Sequence, residues 1–335
     1  MARQLPPSRF HAEGPFSPAL GAQGPHAQTI LGSLMRPGRH VPARRERWTT
    51  PDGDFLDVDH VSAPAEAPHV LVLHGLEGSS RAGYVLETLR GIARRGWGAV
   101  ALNFRSCSGE PNVHARSYNS GDPTDALFTV KQMRERLGIR GPVFGVGFSL
   151  GGSVLLNLLA RTGSDCPLDG GAAVSVPFEL GTCADLLDRG PGLTFIYKRM
   201  FLASLKAKAL GRTGSEGGAV LDPKRIREAD GIRAFDGAVT APLFGYPSAE
   251  AYYADCSTAP RLRDIVRPTV LVTAEDDPIA PARCLPDDVL DNPWLSLVRT
   301  ERGGHVGFIG GSLARPQWWG EAQALAFFDH LLAAA

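Results

Sequence analysis

Gly147-Phe148-Ser149-Leu150-Gly151 sets a serine between two glycines, each two residues away. The apolar run Pro142–Val146 leads in and the helical pattern Ser153–Ala160 leads out. A serine on a sharp strand-to-helix turn projects its hydroxyl from the top of a sheet. Its close neighbours must be small, because Cβ atoms there would collide with the turn. The next residue, Leu150, can aim its backbone N–H at a developing oxyanion. This is the nucleophile elbow of a serine hydrolase. A dinucleotide cradle competes with it, since Gly145-Val146-Gly147 opens such a loop and Asp165 and Asp169 follow about 20 residues on. The third glycine falls late, however, at Gly151 rather than at the position of Leu150, and the loop sits mid-chain.

A serine hydroxyl is a poor nucleophile until a base takes its proton and a carboxylate holds that base. In one chain order known for this triad, the acid and then the histidine follow the serine. Of nine histidines, only His305 and His330 do so. His330 falls in the closing helical pattern, where a surface or packing role fits. His305 lies in Gly303-Gly304-His305-Val306-Gly307, a loop just after the strand pattern Leu295–Arg299, where a general base is wanted. The acid is expected after Val270–Thr273, in Glu275-Asp276-Asp277-Pro278. Asp277 is assigned because the proline after it ends the acidic turn rigidly, and Asp276 is the alternative.

A second oxyanion donor is expected where Val70–Leu73 runs into His74-Gly75-Leu76-Glu77-Gly78, at the N–H of Leu76. His74 precedes the serine and is read as ordering that loop. No metal is implied: His74 and Glu77 lack the His-Glu-x-x-His spacing. The five dispersed cysteines, Cys107, Cys166, Cys183, Cys256 and Cys284, contain no Cys-x-x-Cys pair.

These residues need a scaffold, and the hydropathy pattern supplies one. Arg45–Thr50 and Phe55–His60 read as a hairpin around Pro51-Asp52-Gly53-Asp54. Apolar strands at Val70–Leu73, Ala99–Phe104, Val143–Val146, Ala172–Val176, Val270–Thr273 and Leu295–Arg299 then alternate with helical patterns at Gly83–Arg95, Pro123–Leu137, Leu150–Arg161 and Gln317–Leu332. Such alternation gives an α/β fold, a mostly parallel sheet with helices on both faces. The rhythm breaks over Phe178–Cys256, which has helical character at Leu193–Leu210 and no buried strand. An insertion between late strands of such a sheet sits over their carboxyl ends, where ligands bind, and is read as a helical cap. The expected organisation is an extended arm over 1–43, a core over 44–177, the cap over 178–265 and the rest of the core over 266–335.

The 335 residues are 43% apolar and carry zero formal net charge, so no global field recruits nucleic acid or anionic membrane. The basic cluster Arg36–Arg47 reads as a solvated strand face. Scattered cysteines suit a reducing compartment. Met1–Pro18 lacks the apolar core of a signal peptide. No apolar run reaches the ~18 residues of a membrane span. A cytoplasmic protein is the expectation.

With these residues in place the chain resembles the YheT-like branch of the α/β-hydrolases, which includes abhydrolase-domain acylglycerol and short-chain ester hydrolases. The likeness covers most of the chain. It rests on His26-Ala27-Gln28-Thr29-Ile30, Leu73 through Ser80, Asn103-Phe104-Arg105, Ser108 through Asn112 and Tyr118 through Asp122. It continues in Gly147 through Gly152, Phe235-Asp236, Thr240-Ala241-Pro242, Tyr252-Tyr253, Asp276-Asp277-Pro278 and Gly303 through Phe308. Pro281 resembles the proline that commonly follows the family's triad aspartate. Ala27 stands where a leucine is usual and Ser106 where a glycine is usual. No histidine has aspartate five positions on, so the acyltransferase signature of some relatives is missing.

The resemblance implies the α/β-hydrolase fold, a short- or medium-chain ester or acylglycerol as small-molecule substrate, and no cofactor. It leaves room for peripheral contact with lipid. Thioester or amide cleavage by the same triad is the nearest alternative. A binding protein of this fold without turnover is the more distant one.

Overall fold

The strand patterns assemble into an eight-stranded sheet in the order β1-β2-β4-β3-β5-β6-β7-β8. The computed structural model describes residues 6–36, 41–190 and 192–334. The strands are β1 (Arg44–Thr49), β2 (Phe55–Val61), β3 (His69–Leu73), β4 (Gly98–Leu102), β5 (Val143–Phe148), β6 (Gly170–Val174), β7 (Thr269–Ala274) and β8 (Leu295–Thr300). β1 and β2 pair antiparallel, as do β2 and β4, and the remaining pairs are parallel. The central strands are apolar apart from His69, Thr269 and Thr273 because helices cover both faces; β3, β4, β5, β6 and β7 are buried at every position. β1 is an edge strand and carries charge instead. Its Arg45 and Arg47 face Asp59 and Asp57 across the hairpin, each pair at 2.8 Å.

The helices covering the sheet are α2 (Gly83–Arg94), α3 (Thr124–Arg136), α4 (Leu150–Thr162) and the closing α11 (Trp319–Ala333). Helix α1 (Pro25–Met35) precedes them. It corrects the reading of 1–43 as extended: His26–Met35 form a helix opened by Pro25, whose missing N–H costs nothing at a first turn. Residues 1–5 and 37–40 of that arm lie outside the described residues. The helix is only 11 residues long, set in the sequence between Gly24 and the Pro37-Gly38 pair, and it docks through Gln28 and Gly32, which are buried. A second correction is a small hairpin, β9 (Ile309–Ser312) with β10 (Arg315–Trp318), in the stretch expected to begin the last helix at Gln317. Arg36 is a third: it is buried against Glu321 at 2.7 Å and is no part of a solvated face.

Between β6 and β7 the chain is helical: α5 (Leu180–Arg189), α6 (Thr194–Gly211), α7 (Pro223–Glu228), α8 (Ile232–Phe235), α9 (Ala241–Leu243) and α10 (Ala249–Cys256). α8 and α9 are joined by a π-helical turn, Asp236–Thr240. This segment has an apolar cluster of its own, including Leu187, Leu202, Phe235 and Tyr252, separate from the clusters on the two sheet faces.

The order reverses around β3, which lies between β4 and β5. The carboxyl ends of β3 and β5 therefore open onto a crevice at a switch point, the place where ligands bind in open α/β sheets.

Candidate active site

Ser149 links β5 to α4 with φ 52° and ψ −120°, a conformation that L-residues rarely adopt. The strain is held by its surroundings. The Ser149 N–H donates to the Val174 carbonyl at 2.9 Å. A Cβ on Gly147 would come within 2.4 Å of the Gly151 carbonyl oxygen, and one on Gly151 within 2.4 Å of that of His74. Neither contact is sterically possible, so the glycine spacing read in the sequence is what lets the turn close.

The structure brings the three distant residues together. His305 Nε2 lies 2.8 Å from Ser149 Oγ. Its Nδ1 lies 2.9 Å from one Asp277 carboxylate oxygen and 3.1 Å from the other. Asp277 is buried, and its Oδ1 accepts N–H bonds from Ile279 and Ala280 at 2.8 Å each. Pro278 lets the loop turn back so that these two amides point at the carboxylate.

Asp276 does different work: its Oδ1 accepts the Gly304 N–H at 2.9 Å and so holds the histidine loop. Its Oδ2 is buried without a partner among the described residues. Burial pushes its pKa up, with the Asp277 charge adding to that and the Gly304 N–H opposing it.

That loop is also clamped by residues the sequence reasoning left without a role. Thr29 Oγ1 accepts the His305 N–H at 2.9 Å, and Ser175 Oγ accepts the Val306 N–H at 3.0 Å. Arg36 donates to the Val306 and Gly307 carbonyls at 2.7 and 3.0 Å. Val306 and Phe308 both hold positive φ, at 54° and 43°, which such bonding stabilises. The signal lay in Gln28-Thr29 of the arm motif, whose polar residues recur among apolar ones.

The two N–H groups expected to serve the oxyanion are both free of backbone partners among the described residues. Leu150 opens α4, so its N–H has no intrahelical partner. The Leu76 N–H donates to nothing among the described residues, whereas its neighbours are engaged: Gly75 N–H donates to Tyr84 Oη at 2.8 Å and Glu77 N–H to Tyr118 Oη at 3.0 Å. His74 fixes the loop, donating from Nδ1 to the Gly75 carbonyl at 2.7 Å and accepting the Phe104 N–H at Nε2. Burial pulls its pKa down to about 4, so it stays neutral and keeps both bonds. Tyr84 was not foreseen; a helical tyrosine gives no sign in sequence that it will reach a loop nine residues back.

Ser149 and His305 face a cavity of about 710 Å³, within the size range of small-molecule sites. Its other walls come from α1, the loop after β3 and the helical segment 180–256. Asp236 stands in this wall, accepting hydroxyl bonds from Thr240 and Tyr253 at 2.6 Å each, and burial pushes its pKa up to about 6. Among the described residues no group of three or more His, Cys, Asp or Glu side chains could hold a metal ion. The five cysteines are buried and unlinked. Among the described residues no helix is long and apolar enough to cross a membrane.

Known proteins resemble this chain in sequence and in fold. The chain is 37% identical over 320 residues to the Escherichia coli (strain K12) protein named "Putative esterase YheT", a match covering 94% of this chain and 93% of the relative. It is 29% identical over 305 residues to human "Phospholipase ABHD3", covering 88% of this chain and 74% of that one. Among solved structures, the Pyrococcus furiosus esterase Pf2001 superposes with a TM-score of 0.57 at 15% identity over 97% of this chain and 99% of that chain, a likeness of fold. Residues 70–318 match the family model described as the alpha/beta hydrolase family. The sheet order, the strained serine turn and these matches agree, and the chain belongs to the alpha/beta hydrolase family.

Proposed function

We propose that the protein is a carboxylic-ester hydrolase of the esterase and lipase type, working through Ser149, His305 and Asp277. The observation that carries this reading is the unbroken hydrogen-bond chain from Asp277 through His305 to Ser149 Oγ, opening onto an apolar cavity. A histidine and a carboxylate more than a hundred residues beyond the serine have no structural need to line up with its strained turn in this way.

In this mechanism Ser149 Oγ attacks the ester carbonyl carbon while His305 Nε2 takes the hydroxyl proton. The carbonyl oxygen becomes an oxyanion held by the Leu76 and Leu150 N–H groups. Collapse breaks the C–O bond to the alcohol, which leaves with the proton from His305. A water then attacks the acyl-serine, again giving its proton to His305, and the second collapse releases the acid and restores Ser149. Asp277 keeps Nδ1–H of His305 in place, so that Nε2 is the acceptor.

The helical segment 178–265 acts as the cap of the acyl pocket, and the arm closes it beside the histidine loop. Leu34 and Met200 line the cavity and are 75% and 67% exposed, an apolar rim suited to an amphiphilic ester. Substrates of short to medium acyl length, acylglycerols included, fit this pocket better than bulky polar amides. The relatives' names, esterase and phospholipase, support ester chemistry. The test is labelling by a fluorophosphonate probe, alongside hydrolysis of p-nitrophenyl esters from acetate to palmitate. Covalent labelling of Ser149 with ester turnover is expected. A protein that is neither labelled nor active on any of these esters overturns the reading, and faster cleavage of thioesters or amides reassigns the bond.

A further inference from the structure

The cavity-facing side of α6 changes character along its length. Tyr197, Met200 and Phe201 near its N-terminus give way, past Ser204 and Leu205, to Lys208 and, at its C-terminal cap, Arg212. At about 1.5 Å per residue, Tyr197 and Arg212 are roughly 22 Å apart along the helix. The oxyanion donor lies beside the polar half, while His305 is reached from Tyr197 through Thr29. Glu77, which follows the oxyanion donor Leu76, accepts hydrogen bonds from Ser204 and from Lys208, the latter at 3.0 Å. Arg212 stands one helical turn beyond Lys208.

Arg212 is the anomaly. It is only 6% exposed, it lines the cavity, and its Nη2 is buried with no hydrogen-bond partner. No carboxylate among the described residues forms an ion pair with it. The two whose charge reaches it are already committed. Glu77 is bound by Lys208, Ser204 and Tyr118. Asp54 takes the Phe55, Val113 and His114 N–H groups and the Asn112 amide. Burial pulls the Arg212 pKa below its usual value, against the pull of Tyr118, Cys107, Glu77 and Asp54.

A guanidinium cannot escape that cost by losing its proton, so a buried one is normally paired. Its position at the end of α6 gains only the modest favour a cation finds at a helix C-terminus, and this leaves Nη2 unbonded. The other buried arginines show the contrast: Arg36 is paired with Glu321, and Arg105 with Asp52 and Asp125.

Resting on the esterase reading for the bond cleaved, we infer that Arg212, with Lys208 beside it, binds an oxyanion group, carboxylate or phosphate, on the alcohol part of the substrate. The acyl chain then runs toward Tyr197, Met200 and Phe201, the scissile carbonyl lies by Leu76 and Ser149, and the anion sits one turn past Lys208. The substrate class is an anionic ester with its charge a few bonds from the carbonyl.

Binding decides this without turnover. Titration calorimetry on Ser149→Ala protein compares 1-decanoylglycerol 3-phosphate with 1-decanoylglycerol, and 3-(decanoyloxy)butanoate with its amide. The anionic member of at least one pair is expected to bind about tenfold more tightly or better, as a charge-assisted bond from a desolvated guanidinium should provide. The pair that shows it identifies phosphate or carboxylate as the recognised group. Adding Arg212→Met should bring that ratio to within about twofold, while Arg212→Lys retains part of it. Equal or tighter binding of the neutral member in both pairs overturns the proposal. So does an anion preference that survives Arg212→Met. If Arg212→Met does not fold, the Ser149→Ala titrations and the Arg212→Lys variant still decide. Failure of the esterase reading shows separately, as absence of fluorophosphonate labelling in the wild type.

Discussion

Replacing Asp277 by asparagine tests the orientation of the base with one atom changed. Asp277 Oδ1 accepts two backbone N–H bonds, from Ile279 and Ala280, both at 2.8 Å. An asparagine there must keep its carbonyl oxygen facing those donors, since its NH2 would otherwise point at two N–H groups. The NH2 then occupies the place of Oδ2 and faces His305 Nδ1, where the carboxylate now lies at 2.9 Å. Nδ1 becomes an acceptor, the ring proton moves to Nε2, and Nε2 can no longer take the proton of Ser149. The lost function is the tautomer and the stabilisation of the imidazolium together, for which other triads show about 10⁴ in kcat. That corresponds to about 5.5 kcal/mol on the barrier.

Asp276→Asn should cost less than about tenfold, because an asparagine oxygen can still accept the Gly304 N–H. The assay is kcat on p-nitrophenyl butyrate for both variants, with circular dichroism to establish folding and the fluorophosphonate labelling rate as a second reading of the nucleophile. A folded Asp277→Asn enzyme within tenfold of wild type refutes the orientation argument. The reverse ranking moves the role to Asp276.

Three further outcomes follow from the cavity and the triad. Shortening its apolar wall through Phe201→Ala or Tyr197→Ala should shift the kcat/KM profile across p-nitrophenyl acyl lengths, by up to about 0.8 kcal/mol for each CH₂ that loses its cover; an unchanged profile in both removes these residues from the acyl pocket. Asp236 titrates near 3.8 when unfolded but holds its proton up to about 6 in the fold, so the folded state binds the extra proton between those values. The contribution of Asp236 to stability is therefore full below about pH 4 and is lost as pH rises through 6, by on the order of 2 kcal/mol after allowance for water in the cavity. Asp236→Asn should remove that fall, and urea midpoints from pH 4 to 7 that run parallel for the two proteins would contradict it. Ester turnover should persist after dialysis against EDTA, since the serine mechanism calls on no metal; loss restored by zinc or manganese would count against the triad.

The residues of the proposed triad are the most legible part of this chain. Gly147, Ser149 and Gly151 are forced by contacts within a single turn, so the sequence records them locally. His305 and Asp277 were found by chain order and by their loops after β8 and β7, both set by the parallel sheet. The choice between Asp277 and Asp276 was not local. It depends on which carboxylate the Pro278 turn points inward, and neighbouring acids look alike until the backbone amides of Ile279 and Ala280 are placed. The strands were readable because burial on both faces leaves unbroken apolar runs. The β9–β10 hairpin was not, because Gly310-Gly311-Ser312 and Arg315-Pro316-Gln317 show no alternation that burial would impose.

The hidden part of the site is the support of its base. Helix α1 binds the histidine loop through polar atoms: Thr29 to His305, Gln28 to Ile309, Arg36 to Val306 and Gly307. Ala27, Ile30, Leu31, Leu34 and Met35 do recur at helical spacing, but the stretch is short and lies between Gly24 and Pro37-Gly38, so it reads as part of an arm. The close approach is real, since a Cβ on Gly32 would lie 2.9 Å from Gly307 Cα. Arg36 is in turn anchored by Glu321 at the start of α11, both side chains almost wholly buried. The base of the proposed triad is thus held from one side by Asp277 and Asp276, after β7, and from the other by the arm and the last helix. A loop with two non-glycine residues at positive φ needs both sides. The segment that looked least structured in the sequence is therefore the one on which the position of His305 depends.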